Sequence, residues 1–298
     1  MRIDITMCTF RRPEVVQTMQ SLARMTGLEG IALRLIVADN DDTDSARERV
    51  TQAAADLPFP CLYVHAPARN ISIARNACLD AASDADWIAS LDDDERADPA
   101  WLAQLLAAAQ AADAQCAIGK VLAEYPPETP KWVREVDLHS TFPETERVPT
   151  ANSGNALIRW QGTPWQSERY DVARGTTGGE DTEFFLRLNR LGMKMVAAPL
   201  AITRETVPAV RQTLEWQANR RFRMGQTHTV TALSGPQRLS LFLRAGAKAG
   251  YCTTRQLLAA RNETKRNFWY LRGQLHRGVC AALLTGRKQA QLYGRDPA

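Results

Sequence analysis

Short apolar runs alternate with helix-like stretches through the first hundred residues. Residues 3–7, 33–38, 61–64 and 86–91 read as strands, and helices are expected to begin near Pro13, Thr43, Ile71 and Pro99. Pro13 and Pro99 suit the first turn of a helix, where a missing N–H loses no intrahelical bond. This β-α-β-α alternation predicts an α/β fold with a mostly parallel, doubly wound sheet flanked by helices. Ligands of such sheets bind beyond the carboxyl ends of the strands. Three polar clusters fall at those ends: Thr9-Phe10-Arg11-Arg12, Asp39-Asn40-Asp41-Asp42 and Asp92-Asp93-Asp94.

The rhythm changes after about residue 120. Residues 124–153 contain Pro126, Pro127, Pro130, Pro143 and Pro149 beside Trp132 and read as a long loop covering a cleft. Asn152-Ser153-Gly154-Asn155 leads into a strand-like 156–158, and Trp160 and Trp165 suit either stacking on a sugar or packing in the core. Gly178-Gly179-Glu180-Asp181 then precedes an amphipathic stretch at 184–191. Carboxylates at such a helix start serve as caps or, with suitable geometry, as a general base. From residue 236 to 294, Leu239, Leu241, Phe242, Leu257, Trp269, Tyr270 and other apolar residues interleave with Arg and Lys, as interfacial amphipathic helices do. The expected division is an α/β domain at 1–204 and a basic helical region at 205–298.

Charge sharpens that division. Residues 204–298 hold 17 Lys/Arg against 4 Asp/Glu, so the modest overall +4 conceals a basic C-terminal part and an acidic remainder. A basic segment serves an anionic membrane surface, a nucleic acid or a solvated helical face. With 45% hydrophobic residues in 298, the chain has material for a large core, and disorder is not expected. No run approaches the roughly 20 apolar residues of a membrane span, and the N-terminus lacks a signal-peptide layout, so a cytoplasmic protein is expected. The six cysteines lie far apart without C-x-x-C spacing, which fits reduced structural thiols rather than zinc or disulfides.

The Asp triplet carries the most chemistry. Like charges a few ångströms apart repel by about 1 to 4 kcal/mol at surface-like dielectric, so such a cluster calls for a cation or shared protons. Mg²⁺ or Mn²⁺, held through one or two carboxylates with positions left for substrate phosphates, meets that need. A solvated acidic turn is the plain alternative. G-x-G-x-x-G and G-x-x-x-x-G-K-[ST] are both absent, so a nucleotide must be gripped otherwise. Asp39 suits the N–H of a pyrimidine and Phe10 a base contact, while Asp39-Asn40 is equally a turn signal. Arg75, near a helix start at Ile71, suits a diphosphate together with free backbone N–H groups, or a surface ion pair.

In this order and spacing, Cys8-Thr9-Phe10-Arg11-Arg12-Pro13, Val37-Ala38-Asp39-Asn40, Ala74-Arg75-Asn76, Leu91-Asp92-Asp93-Asp94-Glu95 and Gly179-Glu180-Asp181 resemble a family 2 glycosyltransferase of GT-A fold over about residues 2–200. The resemblance implies a Rossmann-like nucleotide-sugar domain, a UDP-sugar donor and a divalent ion, Mn²⁺ or Mg²⁺, at the D-x-D element. It also implies inversion by direct displacement. Carried over by position, Thr9, Phe10, Arg11, Asp39 and Arg75 contact the nucleotide. Asp92, Asp93 and Asp94 serve the phosphates, with Asp92 and Asp94 on the metal, and Asp181 is the base with Glu180 its alternative.

Processive relatives combine Q-x-x-R-W with transmembrane helices; here Gln217-Ala218-Asn219-Arg220 is followed by Arg221, which favours single addition. Arg220, Arg223 and His228 suit either the donor diphosphate or a basic helical face. The layout is similar to glucosyltransferases that extend polyprenyl-diphosphate-linked saccharides in bacterial exopolysaccharide assembly, including the succinoglycan type. A sugar nucleotidyltransferase would need a Gly-rich, Lys-containing loop after the first strand, which is absent. A nucleic-acid-binding protein is disfavoured by the acidic first part, and no nucleic-acid partner is expected.

Overall fold

The computed structural model describes residues 1–143, 148, 150–229 and 234–285. Its strands are β1 (Arg2–Thr9), β2 (Ala32–Asp39), β3 (Cys61–His65), β4 (Trp87–Leu91), β5 (Glu95–Ala97), β6 (Cys116–Glu124), β7 (Asn155–Arg159) and β8 (Met195–Thr206). Its helices are α1 (Val15–Leu22), α2 (Arg47–Ala54), α3 (Ile71–Ala81), α4 (Trp101–Ala111), α5 (Lys131–Val136), α6 (Glu180–Arg190), α7 (Leu214–His228), α8 (Gly235–Leu258) and α9 (Glu263–Thr285). The strands form one sheet in the order β3-β2-β1-β4-β7-β6-β8-β5. β1, β2, β3 and β4 are parallel, whereas β7 runs antiparallel to β4 and β6, and β5 antiparallel to β8. The parallel half follows the alternation of the sequence; the antiparallel half makes the sheet mixed.

Period-two alternation divides the core between the two faces of the sheet. Ile3, Ile5 and Met7 of β1, with Leu35 and Val37 of β2, pack beneath α1, α2 and α4. Ile36, Ala38 and Ile88 face the other way, onto α3 and onto Phe184, Phe185 and Leu188 of α6. Burying a side chain such as Leu105 or Phe184 stabilises the fold by about 1.5–3 kcal/mol. Trp160 and Trp165 belong to this second core, so packing rather than sugar stacking explains both. The buried Asp4 of β1 breaks the apolar pattern and is neutralised by Arg2 at 3.1 Å and Arg34 at 2.6 Å.

Several expected boundaries shift. Pro13 and Pro99 sit in the turns before α1 and α4, one residue ahead of the N-caps Glu14 and Ala100, and the Pro13 carbonyl accepts from Val16 N at 3.2 Å. The second helix begins at Arg47 rather than near Thr43, because Asp39 accepts the N–H groups of Asp41 and Ala46 and holds the intervening residues in a turn. The expected loop at 124–153 contains α5, which starts after Pro130; Pro149 lies outside the described residues.

Among the described residues, backbone contacts separate two compact units: residues 1–123 with 140–205, and residues 124–139 with 206–285. The second unit is helical and has its own small core of Trp132, Val133, Ala218 and Leu271. In it His139 stacks on Trp216 at 5.6 Å, donates from Nε2 to the Arg211 carbonyl and accepts from Arg220 at Nδ1. Burial and the Arg220 charge lower its pKa to about 4, so the ring is neutral at physiological pH. Among the described residues no helix is long and apolar enough to cross a membrane, and all six cysteines are free.

Asn155 of β7 joins the middle of the first unit. It is fully buried; its Nδ2 lies 3.2 Å from the carbonyls of Lys120 and Ala201 and from Thr203 Oγ1, and its Oδ1 accepts from Trp101 Nε1 at 2.8 Å. Asn155→Ala strands several buried polar groups at once and is expected to lower stability by roughly 3 kcal/mol, read from the denaturant midpoint.

Candidate active site

The parallel register Thr9↔Asp39 and Thr6↔Ser90 brings the carboxyl ends of β1, β2 and β4 to one edge of the sheet. The three polar clusters expected there therefore lie side by side. Asp92, Asp93 and Asp94 form the tight turn between β4 and β5, closed by Glu95 N donating to the Asp92 carbonyl at 3.2 Å. Thr18 of α1 braces this turn from below, its hydroxyl donating to the Asp93 carbonyl at 2.9 Å.

The three aspartates face different surroundings. Asp93 is buried, and burial pushes its carboxyl up to about 7 against the pull of Arg12. Its Oδ1 accepts from Arg12 at 3.0 Å, while Oδ2, like Thr9 Oγ1, is buried without a hydrogen-bond partner. Arg12 also pairs closely with Asp94. Asp92 keeps 47% of its side chain exposed and lies 3.9 Å from Arg75. Behind it stands Glu95, buried beside Asp92, raised well above the usual carboxylate range by burial and then by the Asp92 charge, and bonded to Thr203 Oγ1.

Gly154 permits this crowding. A Cβ at that position would lie 2.8 Å from both Asp92 Oδ2 and Glu95 Oε1, so only glycine lets the backbone pass beneath the two carboxyl groups.

Opposite the turn stand α3 and α6. Gly178 and Gly179, with φ of 89° and 84°, turn the chain through the left-handed region and place Glu180 and Asp181 in the first turn of α6. Glu180 is buried and pairs with Arg75 of α3, whose guanidinium also lies 5.4 Å from the Tyr170 ring centre. Asp181 accepts from Thr182 N at 2.6 Å and from the Thr182 hydroxyl, both through Oδ1, and Oδ2 has no protein partner among the described residues. Burial, then the Glu180 charge, push Asp181 up to about 6, with Arg75 opposing. The adjacent carboxylates thus differ: Glu180 is held by an arginine, and Asp181 keeps one oxygen without a protein partner among the described residues.

The segment preceding α6 is fastened to α3. Asn76 Nδ2 donates to the Tyr170 carbonyl at 3.0 Å, Tyr170 N donates to Asn76 Oδ1 at 2.7 Å, and Ser72 Oγ donates to the Asp171 carbonyl at 2.9 Å. Asn70 caps α3 by accepting from Ser72 N and Ile73 N, and Ile71 N donates to the Gly175 carbonyl. The first N–H groups of α3 are therefore used by the protein, and the expectation that they meet a diphosphate does not hold; Arg75 alone of that segment faces the cleft beside Asp92.

Two other expected nucleotide contacts also have structural work. Asp39 accepts from Asp41 N at 3.0 Å, Ala46 N at 2.8 Å and the Tyr63 hydroxyl at 2.7 Å, which is the turn role and leaves about one acceptor position. Arg11, at a left-handed φ of 57°, grips Asp41 at 2.8 and 2.9 Å and pulls that carboxyl down to about 2. Its guanidinium lies 5.2 Å from the centre of the Phe10 ring.

Asp92 offers an exposed carboxylate and Asp94, paired with Arg12, a second one on the same turn, which suits a hard divalent ion that takes one or two carboxylates and completes its shell with phosphates and water. Among the described residues no group of three His, Cys, Asp or Glu forms a complete cage. Sequence reasoning missed Arg12 as partner of the acidic turn, Tyr170 beside Arg75 and the role of Gly154. The Arg11-Arg12 pair was the available signal for the first; the other two depend on contacts distant in the chain.

A family model described as glycosyl transferase family 2 matches residues 4–187. The succinoglycan biosynthesis protein ExoM of Rhizobium meliloti (strain 1021) is 42% identical over 299 residues, covering 99% of this chain and 96% of that protein. Among solved structures, the mannosyltransferase PcManGT from Pyrobaculum calidifontis, in complex with GDP-Man and Mn²⁺, superposes with a TM-score of 0.64 at 15% identity, covering 96% of this chain and 88% of that one. Residues 1–349 of S. aureus TarS, in complex with UDP-GlcNAc, give 0.54 at 11% identity, covering 98% and 99%. Both structures share the fold. With the family model spanning well over half the sequence and a relative of such identity along nearly all of it, the chain belongs to glycosyl transferase family 2.

Proposed function

We propose that this glycosyltransferase moves one hexose, glucose, from a UDP-sugar to a polyprenyl-diphosphate-linked saccharide during assembly of a succinoglycan-type exopolysaccharide. The reading places residues 1–204 as the catalytic domain and the basic helical region from 205 at the inner face of the plasma membrane. One observation carries it: an acidic turn with Asp92 exposed and Asp94 held by Arg12 shares a sheet edge with Asp181, whose Oδ2 has no protein partner among the described residues, and Arg75 stands between them. The relative identified with succinoglycan biosynthesis supports the polysaccharide, and the nucleotide-sugar complexes of the structural neighbours support the donor class.

The chemistry follows from charge. Asp181 Oδ2 takes the proton of an acceptor hydroxyl as its oxygen forms a bond to the anomeric carbon. The bond to the nucleoside diphosphate breaks on the opposite face of the sugar, giving inversion. Arg75 stabilises the charge that gathers on the departing diphosphate, exchanging part of its contact with Glu180 for phosphate oxygens. A divalent ion held by Asp92 and Asp94 would supply Lewis-acid stabilisation of the same leaving group, which then departs without a protonating acid. Thr9, Phe10, Arg11 and Asp39 form the nucleotide side of the reading, and Asp93 braces the turn.

Calorimetric titration with UDP tests the donor site without the acceptor. Binding is expected with Mn²⁺ and lost with EDTA; no binding under either condition would defeat the reading. Asp181→Asn should retain UDP binding and lower turnover by about 10² to 10⁴. Because the base acts ionised, turnover should be level above about pH 7 and fall as pH drops through the raised pKa of about 6. Glu180→Gln removes a neighbouring negative charge, so that acid limb should move to lower pH while turnover persists. A loss as deep as that of Asp181→Asn would make Glu180 the base.

A further inference from the structure

The second unit carries a surface for which the sugar-transfer chemistry has no use. Helix α8 packs one side on α9: Ala245 and Cys252 are buried, and Arg277 donates to Thr253 Oγ1 at 3.1 Å, while Tyr251, at the boundary of that contact, meets Trp269 edge-on at 5.5 Å and stays more than half exposed. Among the described residues, nothing covers its other side. Leu239, Leu243, Tyr251, Leu257 and Leu258 are 60, 61, 56, 71 and 78% exposed.

At 100° per residue these five side chains occupy a sector of roughly 120°, and the stripe from Leu239 to Leu258 runs about 28 Å. The small or polar Ser240, Ala247, Gly250 and Thr254 interrupt it. Arg244, Lys248 and Arg255 fall along one flank. From Gly235 through Asn262 there are five cations and no carboxylate.

That combination identifies the partner. Five large apolar groups left in water are unfavourable without a cover, and long basic side chains beside them can bury their stems while reaching outward with their charges. A second copy of the same face would bring cation rows together with no carboxylate to separate them. A nucleic acid would satisfy the cations and leave the leucines wet. We propose that the outer face of α8 lies on an anionic lipid surface, with the leucines and Tyr251 entering the headgroup–acyl boundary and Arg244 and Lys248 pairing with lipid phosphates. The inference deepens the peripheral-membrane part of the proposed function and is independent of the catalytic part.

Flotation of the full chain tests it, using phosphatidylcholine vesicles with or without about 30% phosphatidylglycerol. The expected result is preferential recovery with the anionic vesicles, weakening as salt is raised. Replacing Leu239, Leu243, Leu257 and Leu258 by Ser, or making Arg244→Glu with Lys248→Glu, should each lower the bound fraction about tenfold. Circular dichroism and UDP titration of the same variants should match the unmodified protein, which separates loss of docking from loss of folding or of the donor site. Equal recovery with both vesicle types, or variants that float as well as the parent, would overturn the proposal. So would a concentration-dependent dimer, seen by sedimentation, that the Ser variants dissociate.

Discussion

Six carboxyl groups crowd the carboxyl edge of the sheet, and two arginines hold them there. Asp92, Asp93, Asp94 and Glu95 come from one turn and Glu180 and Asp181 from the start of α6; Arg12 pairs with Asp93 and Asp94, and Arg75 with Glu180 beside Asp92. Mutual repulsion and loss of hydration are both expensive for such a group. The protein answers by separating tasks: Arg12 binds the turn, Arg75 binds Glu180, and burial raises Asp93, Glu95 and Asp181 toward their neutral forms. The remaining deficit of positive charge is what a cation and a polarised donor would meet in the proposed reaction.

Much of the surrounding structure exists to keep that arrangement in register. The cap of α3 by Asn70, the paired bonds between Asn76 and Tyr170, and the two left-handed glycines before α6 fix the distance between Arg75 and Glu180. Gly154 and the buried Asn155 hold β7 close beneath the acidic turn. None of these residues carries the proposed chemistry. Each removes a freedom that would let the carboxylates spread apart, which is the positioning on which general-base and electrostatic catalysis depend.

The helical unit follows a different logic. Its core is small, and its stability depends on helices sharing faces, as where Leu271 is fully buried with Trp132, Val133 and Ala218. The amphipathic pattern of its sequence therefore has two destinations. Some apolar residues turn inward to neighbouring helices, and others on α8 remain outside beside cations. Hydrophobic periodicity announces an amphipathic helix but is silent on which apolar residues another helix will cover.

The parallel half of the sheet was legible in the chain, because strand and helix periods alternate locally there and set the polar clusters of β1, β2 and β4 at the strand ends. The sequence also supported the family, through motifs whose order and spacing are visible without coordinates. The antiparallel half, with β5, β7 and β8 paired across long stretches of chain, depended on contacts that no local period records. The same holds for the charge partners. Asp39 offered a turn and a ligand contact with equal force until the N–H groups of Asp41 and Ala46 and the Tyr63 hydroxyl were seen on its oxygens. Glu180 and Asp181 were interchangeable as neighbours in sequence. Only the tertiary structure decided that Arg75, 105 residues away, takes one and not the other, because an ion pair depends on distance in space and not on order along the chain.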